Sequence, residues 1–202
     1  DSPTYLGSVT AFTATIAAGT NVSYTWSLGD GVQAHGATVM HTYSVVGIYT
    51  AIVTATNTVG RATAATQVEI TDIPISGLAA NNDSPTLLGS ATTLTATTTI
   101  GTNVNYSWSF GDGTTGSGSI VHHIYPAVGT STSTVTASNP SSQVSVSTRV
   151  IVTDVPIQGL AAANNSPTLL ASATTLTATV SAGTNVLYSW DLGDGGSAQG
   201  AV

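Results

Sequence analysis

Three tryptophans, Trp26, Trp108 and Trp190, stand 82 residues apart, and the chain around them repeats in the same register. Tyr24-Thr25-Trp26-Ser27-Leu28-Gly29-Asp30-Gly31 returns as Tyr106-Ser107-Trp108-Ser109-Phe110-Gly111-Asp112-Gly113. It returns again as Tyr188-Ser189-Trp190-Asp191-Leu192-Gly193-Asp194-Gly195. Ser84-Pro85-Thr86-Leu87-Leu88 recurs as Ser166-Pro167-Thr168-Leu169-Leu170, and in weaker form as Ser2-Pro3-Thr4-Tyr5-Leu6. Solenoid repeats of about 20–50 residues cannot bury an apolar face alone. A unit of 82 residues is long enough to be a small domain with its own core. The chain reads as a string of domains.

Strand periodicity runs through each unit. Tyr24, Trp26 and Leu28 alternate with Ser23, Thr25 and Ser27, the pattern of a half-buried antiparallel strand. Gly29-Asp30-Gly31 ends it, because glycine tolerates the positive φ of a tight turn. Tyr49 to Thr56, Leu94 to Thr98 and Val144 to Val152 alternate in the same way. Several short strands within about 80 residues predict two packed antiparallel sheets. The expected fold is all-β: tandem immunoglobulin-like β-sandwiches with an 82-residue period. Each tryptophan is expected to be buried between the sheets.

Composition narrows the function. Only 5% of residues are charged, against about 25% in ordinary soluble domains. Lysine is absent, and Arg61 and Arg149 are the only strong cations in a chain of net charge −7. Nucleic-acid binding needs Lys and Arg to displace phosphate counterions, so that class is excluded. Cysteine is absent, which removes disulfides and thiolate metal sites. No apolar run reaches the roughly 18–20 residues of a membrane-spanning helix.

Trp26-Ser27-Leu28-Gly29-Asp30-Gly31 and Trp190-Asp191-Leu192-Gly193-Asp194-Gly195 resemble the Trp-Asp-Phe-Gly-Asp-Gly signature of the polycystic kidney disease (PKD) domain. His41-Thr42-Tyr43, Gly47-Ile48-Tyr49-Thr50 and Val53-Thr54-Ala55-Thr56-Asn57 resemble the later half of that pattern. His123-Ile124-Tyr125 repeats its histidine and tyrosine. The resemblance implies an immunoglobulin-like sandwich found in tandem on extracellular proteins, including bacterial and archaeal surface proteins and secreted hydrolases. It also implies a spacer or interaction module and no catalytic role. Two departures stand out. Ser27 and Ser109 replace the aspartate kept as Asp191, and Ser131 and Ser133 stand where the first unit has Tyr49 and Ala51.

Thr71-Asp72-Ile73-Pro74-Ile75 and Thr153-Asp154-Val155-Pro156-Ile157 mark the junctions. Proline and β-branched residues make them stiff, unlike a Gly/Ser linker. The expected domains are 1–72, a PKD-like unit lacking its first strand; 73–154, a complete unit; and 155–202, the first half of a third. A window on a longer periodic array is the expected context.

The motif residues are expected to be structural: Trp26, Trp108 and Trp190; Gly29, Asp30 and Gly31; Gly111, Asp112 and Gly113; Gly193, Asp194 and Gly195; His41 and Tyr43; His123 and Tyr125. No catalytic residue and no cofactor is expected, since no nucleophile elbow accompanies Ser, His and Asp. Calcium is the one candidate ion, either at the Gly-Asp-Gly loops or at the junctions through Asp72, Asp154 and Glu69. It wants six to eight oxygens, and each loop offers one or two carboxylates. Asn21, Asn82, Asn105 and Asn164 match the N-glycosylation pattern, and O-linked sugar would hydrate the Thr/Ser-rich surface.

Two functions fit at this level. One is a non-enzymatic, extracellular or cell-surface repeat array forming a fibre, stalk or filament, its partners being other copies or flanking repeats. The other is a spacer or a carbohydrate- or protein-binding module of a secreted hydrolase or adhesin. Polysaccharide is the partner to consider there, and an exposed aromatic strip would mark it.

Overall fold

The computed structural model describes residues 2–201. Asp1 and Val202, the outermost residues of the first and third expected units, lie outside them. Every regular element is a strand. The first repeat contains β1 (Thr4–Tyr5), β2 (Val9–Thr13), β3 (Ser23–Ser27), β4 (Gln33–His35), β5 (Thr38–Thr42), β6 (Gly47–Asn57) and β7 (Gly60–Thr71). The second contains β8 (Ala79–Asn82), β9 (Thr86–Leu87), β10 (Ala91–Thr97), β11 (Asn105–Ser109), β12 (Thr115–Ser117), β13 (Ile120–Ile124), β14 (Gly129–Asn139) and β15 (Ser142–Thr153). The third contains β16 (Ala161–Asn164), β17 (Leu176–Thr179), β18 (Ser189–Asp191) and β19 (Ser197–Gln199).

The second repeat shows the sandwich in full. One sheet has the order β12-β11-β14-β15-β9 and the other β13-β10-β8. The opening segment serves both sheets: β8 runs antiparallel to β10, and β9 then runs parallel to β15. In the first repeat the corresponding sheets are β1-β7-β6-β3-β4 and β2-β5. Among the described residues of the third repeat, β16 pairs with β17 and β18 with β19.

Alternation becomes burial as expected in the first two repeats. Trp26 is packed with Phe12, Leu28, Val53 and Val68, and Trp108 with Leu94, Phe110, Val135 and Val150. The indole would lose a hydrogen bond on leaving water, and the chain replaces it. Trp26 and Trp108 donate Nε1–H to the carbonyls of Gly36 and Gly118, both at 3.0 Å. Trp190 corrects the expectation of three equivalent tryptophans. Its Nε1 donates to the Gly200 carbonyl at 2.8 Å, but the ring is only half-buried. Two short hairpins cannot cover both faces of an indole.

Ser131 and Ser133, in the place of a tyrosine and an alanine, have a structural account. In the first repeat Tyr43 donates its buried hydroxyl directly to the Leu28 carbonyl at 2.8 Å, and Tyr49 stacks on it at 4.3 Å. In the second, Ser133 is fully buried and sits between the two groups. Its Oγ lies 2.6 Å from the Tyr125 hydroxyl and donates to the Phe110 carbonyl at 3.1 Å. A side-chain relay replaces the direct bond, so the buried serine is satisfied. The ring partner also changes, since Phe110 stacks flat on His123 at 4.1 Å.

Trp108→Ala removes a fully buried ring and should cost about 3–5 kcal/mol in chemical denaturation. Trp190→Ala, at the half-buried site, should cost clearly less, which fluorescence- and circular-dichroism-monitored melts of the two variants can compare.

Candidate functional site

The Gly-Asp-Gly loops are built as staples. After β3 the chain must turn sharply beside β6. Gly29 and Gly111 have φ of +89° and +85°, and a Cβ on either would collide with the carbonyl of Thr50 or Thr132. Glycine is required there for both conformation and space. The aspartate that follows closes the turn, Asp30 Oδ1 accepting from the Val32 amide at 3.1 Å. Asp112 Oδ1 accepts from the Thr114 amide at 3.0 Å and from its hydroxyl at 2.6 Å. The second oxygen reaches the opposite sheet: Asp30 Oδ2 lies 2.6 Å from His41 Nε2, and Asp112 Oδ2 lies 2.6 Å from His123 Nε2. Each histidine then meets the buried tyrosine two residues on edge-to-face, 4.6 Å between centroids. Asp, His and Tyr thus tie the turn to the other sheet. In the third repeat Asp194 Oδ1 closes the same turn on the Gly196 amide at 2.8 Å.

The electrostatics follow from these contacts. Partial burial raises the Asp112 carboxyl, but hydrogen bonds from the Thr114 hydroxyl, the His123 ring and the Thr114 amide outweigh it and hold its pKa at about 2. Asp30 is lowered by the same balance, burial opposing the His41 and Val32 bonds. Burial, with the nearby Asp30 charge and Tyr49 ring, pushes Tyr43 up to about 12.

Thr114, His123 and Asp112 have the residue types of a nucleophile, a base and an orienting acid. Their geometry is different: Thr114 Oγ1, at 3.3 Å, and the Asp112 carboxylate both meet His123 at Nε2. A catalytic triad places hydroxyl and carboxylate on opposite ring nitrogens. The first repeat has Val32 in place of Thr114.

The junction aspartates, Asp72 and Asp154, form a second set of contacts. Asp72 follows the last residue of β7 and is buried, 1% exposed. Asp72 Oδ1 accepts from Thr102 Oγ1 at 2.7 Å and from Asn103 Nδ2 at 2.6 Å, both in the turn between β10 and β11. The Thr102 hydroxyl in turn accepts from the Ile73 amide at 2.9 Å, and Asn139 Nδ2 donates to the Ile73 and Thr102 carbonyls, both at 2.9 Å. At the next junction Asp154 Oδ1 accepts from Thr184 Oγ1 and Asn185 Nδ2, both at 2.7 Å. Asn103 and Asn185 hold φ of 50° and 51° to make this reach, a conformation asparagine tolerates better than other side-chain-bearing residues. The signal lay in the repeat, since Thr-Asn recurs in register with the junction aspartate.

The groups around the Asp72 carboxylate are unevenly shared between its two oxygens. The Thr102 O–H and the Asn103 N–H both point at Asp72 Oδ1. Asp72 Oδ2 is buried without a donor. Among the described residues no three His, Asp or Glu side chains gather as ligands, and Glu69 is exposed. Of the glycosylation candidates, Asn21, Asn105 and Asn164 are exposed. Asn82 Nδ2 donates to Thr148 Oγ1 at 2.8 Å and to the Arg149 carbonyl at 2.9 Å. Among the described Phe, Trp and Tyr side chains, Tyr5 is the one exposed ring.

Two facing antiparallel sheets, with an opening segment that switches between them, define an immunoglobulin-like β-sandwich. The PKD domain family model matches residues 2–70 and again 77–152, well over half of the chain. The chain belongs to the PKD domain family. Domains of this family are typically extracellular or surface modules and typically non-catalytic. Similar solved structures include an amphioxus IgVJ-C2 molecule, 14% identical with a TM-score of 0.48, covering 74% of this chain and 99% of that one. Another is the N-terminal four Ig domains of Dscam1 isoform 6.9, 16% identical with a TM-score of 0.46, covering 74% of this chain and 42% of that one. No helix is long and apolar enough to cross a membrane among the described residues.

The Asp112 staple should be acid-sensitive. A carboxyl held below its ordinary pKa of about 3.9 contributes stability above that pH and loses it as pH falls through about 2. The stability advantage of the wild type over Asp112→Asn should therefore be present at about pH 5 and shrink below about pH 4. Urea melts of both proteins across that range measure it.

Proposed function

We propose that this chain is a non-enzymatic, extracellular or cell-surface repeat array whose units, 1–72, 73–154 and 155–202, hold a set orientation and form a semi-rigid fibre or stalk. The observation that carries this reading is the absence of slack at the junction. Thr71 is the last residue of β7 and pairs with Tyr5. The next residue, Asp72, is already held by Thr102 and Asn103 of the following repeat. Ile73 is fixed at both its amide and its carbonyl. With consecutive residues gripped by successive sandwiches, few backbone dihedrals remain to act as a hinge.

The surface supports the same reading. Hydroxyl pairs such as Thr134–Ser147 at 2.8 Å and Thr136–Ser145 at 2.9 Å link neighbouring strands on an outer face. With only 5% of residues charged, the broad faces between those charges are neutral and offer little local repulsion between copies. Polysaccharide binding through stacked sugar rings would need a row of exposed aromatics, and Tyr5 stands alone.

Asp72→Ala should loosen the first joint while leaving both sandwiches folded, at a cost of about 1–3 kcal/mol for the unpaired donors. Residual dipolar couplings should show one shared alignment for the first two repeats in the wild type and two separate alignments in the variant. Two independent alignments in the wild type would overturn the semi-rigid reading.

A further inference from the structure

The outer face of the five-stranded sheet in the first repeat is charged at its two ends and apolar between them. Alternation turns Val68 and Ile70 of β7 inward and leaves Arg61, Thr63, Ala65, Gln67 and Glu69 outward and exposed. On β6 beside them, Ile48 is 70% and Ile52 44% exposed. Ile48 pairs with Glu69 and Ile52 with Ala65. We propose that this face is a self-complementary interface, which pairs antiparallel with the same face of a second copy of the chain.

Such a face is open in a complete sandwich as well. The second repeat has both sheets in full, and its equivalent positions, Gln143, Ser145, Ser147, Arg149 and Ile151, are all exposed. Its opening strand β8 belongs to the other sheet. The chemistry of the two faces differs. In the second repeat hydroxyls bond one another across the strands, Thr134 to Ser147 and Thr136 to Ser145. The first repeat has Ile52 and Ala65 in the place of Thr134 and Ser147, and the charges Arg61 and Glu69 in the place of Gln143 and Ile151. A satisfied polar pair has been exchanged for side chains that gain by excluding water.

The charges say what covers it. Each described aspartate accepts at least one hydrogen bond from the chain. The ion pairs among the described residues are the two Asp–His contacts, so Arg61 and the single glutamate, Glu69, have no internal counter-charge there. They stand eight residues apart on one strand, roughly 27 Å, with Ala65 midway. A two-fold axis lying between the faces, across the strands at Ala65, runs β7 over its copy in the opposite direction. Arg61 of each copy then lies over Glu69 of the other, and Ile52 lies over Ile52, an isologous contact. Packed sheets stand about 10 Å apart, a gap that an arginine and a glutamate side chain span together. The parallel alternative sets like charges over each other and is selected against. β3 and β6 add only serine, threonine and isoleucine to this face, and His35 of β4, at its margin, bonds Thr25.

Three strands of this length make a patch of roughly 27 by 15 Å, at the low end of specific interfaces. The contact is therefore weak and reversible. It goes beyond the array reading, since it joins rods side by side, and a flexible junction would not prevent it.

Sedimentation equilibrium of the full 202-residue chain tests the pairing. The mass should rise with concentration from 20.1 kDa toward twice that value, and added salt should weaken the rise by screening the pairs. Arg61→Glu and Glu69→Arg, both at exposed positions and checked for folding by circular dichroism, should each weaken self-association about tenfold, because each sets like charges together. Net charge alone would move these two variants in opposite directions, since the chain is already acidic. Mixing the two variants, or combining both changes in one chain, should restore association, as every arginine again meets a carboxylate. A wild-type chain that stays monomeric at about 0.5 mM would overturn the interface. Association unchanged by either charge reversal would show that copies meet elsewhere and overturn this face. Loss in both single variants without recovery in the mixture or the double variant would overturn the antiparallel register. None of these results alters the alignment of the first two repeats, so the array reading is tested separately.

Discussion

An indole held between two sheets, its N–H bonded to a glycine carbonyl ten residues on, is the interaction around which each repeat is organised. The three bonds recur at 3.0, 3.0 and 2.8 Å. A buried Trp N–H needs an acceptor, and supplying one fixes where the strand after the Gly-Asp-Gly turn must end. The hairpin register of Trp26 with Ala34 and of Trp108 with Gly116 follows. The aspartate of the turn then lands opposite a histidine of the facing sheet. The tight turn, the Asp–His hydrogen bond and the buried tyrosine are grouped around that ring.

A second constraint operates between repeats. Charge is scarce in this chain, and much of it is used where two sandwiches meet or where a turn crosses from sheet to sheet. Asp72, Asp154, Asp30 and Asp112 each accept two or more hydrogen bonds. Charge-assisted bonds are stronger than neutral ones. The strongest polar interactions therefore lie at the points that set direction, while the broad outer faces rely on threonine and serine.

How much could be read from the sequence depended on distance along the chain. Alternation placed Trp26 and Trp108 in a core because burial follows from residues two apart. Trp190 kept the same local pattern and is half-buried, since the described strands of the third repeat do not enclose it. The junction clip was harder to see. Its partners, Asp72 and Thr102, lie 30 residues apart, and an asparagine must adopt a left-handed φ before they meet. The repeated Thr-Asn dipeptide was visible, but nothing local says that its donors face a carboxylate from the preceding unit. Ser133 was a puzzle for the same reason. A buried serine reads as a defect until the tyrosine hydroxyl and carbonyl it joins are known.

That serine bears on how neighbouring repeats stay distinct during folding. Adjacent domains of similar sequence are prone to exchange strands and trap each other in misassembled forms. The interiors here are not interchangeable. The second repeat's β14 brings Ser133 to complete a relay between Tyr125 and Phe110, while the first repeat's β6 brings Ala51 and the ring of Tyr49. If β6 took the place of β14, the Tyr125 hydroxyl would face a methyl group and an added ring would need room. The opening segments, by contrast, keep one pattern from repeat to repeat. Distinct interiors behind similar opening segments favour each sandwich folding with its own strands.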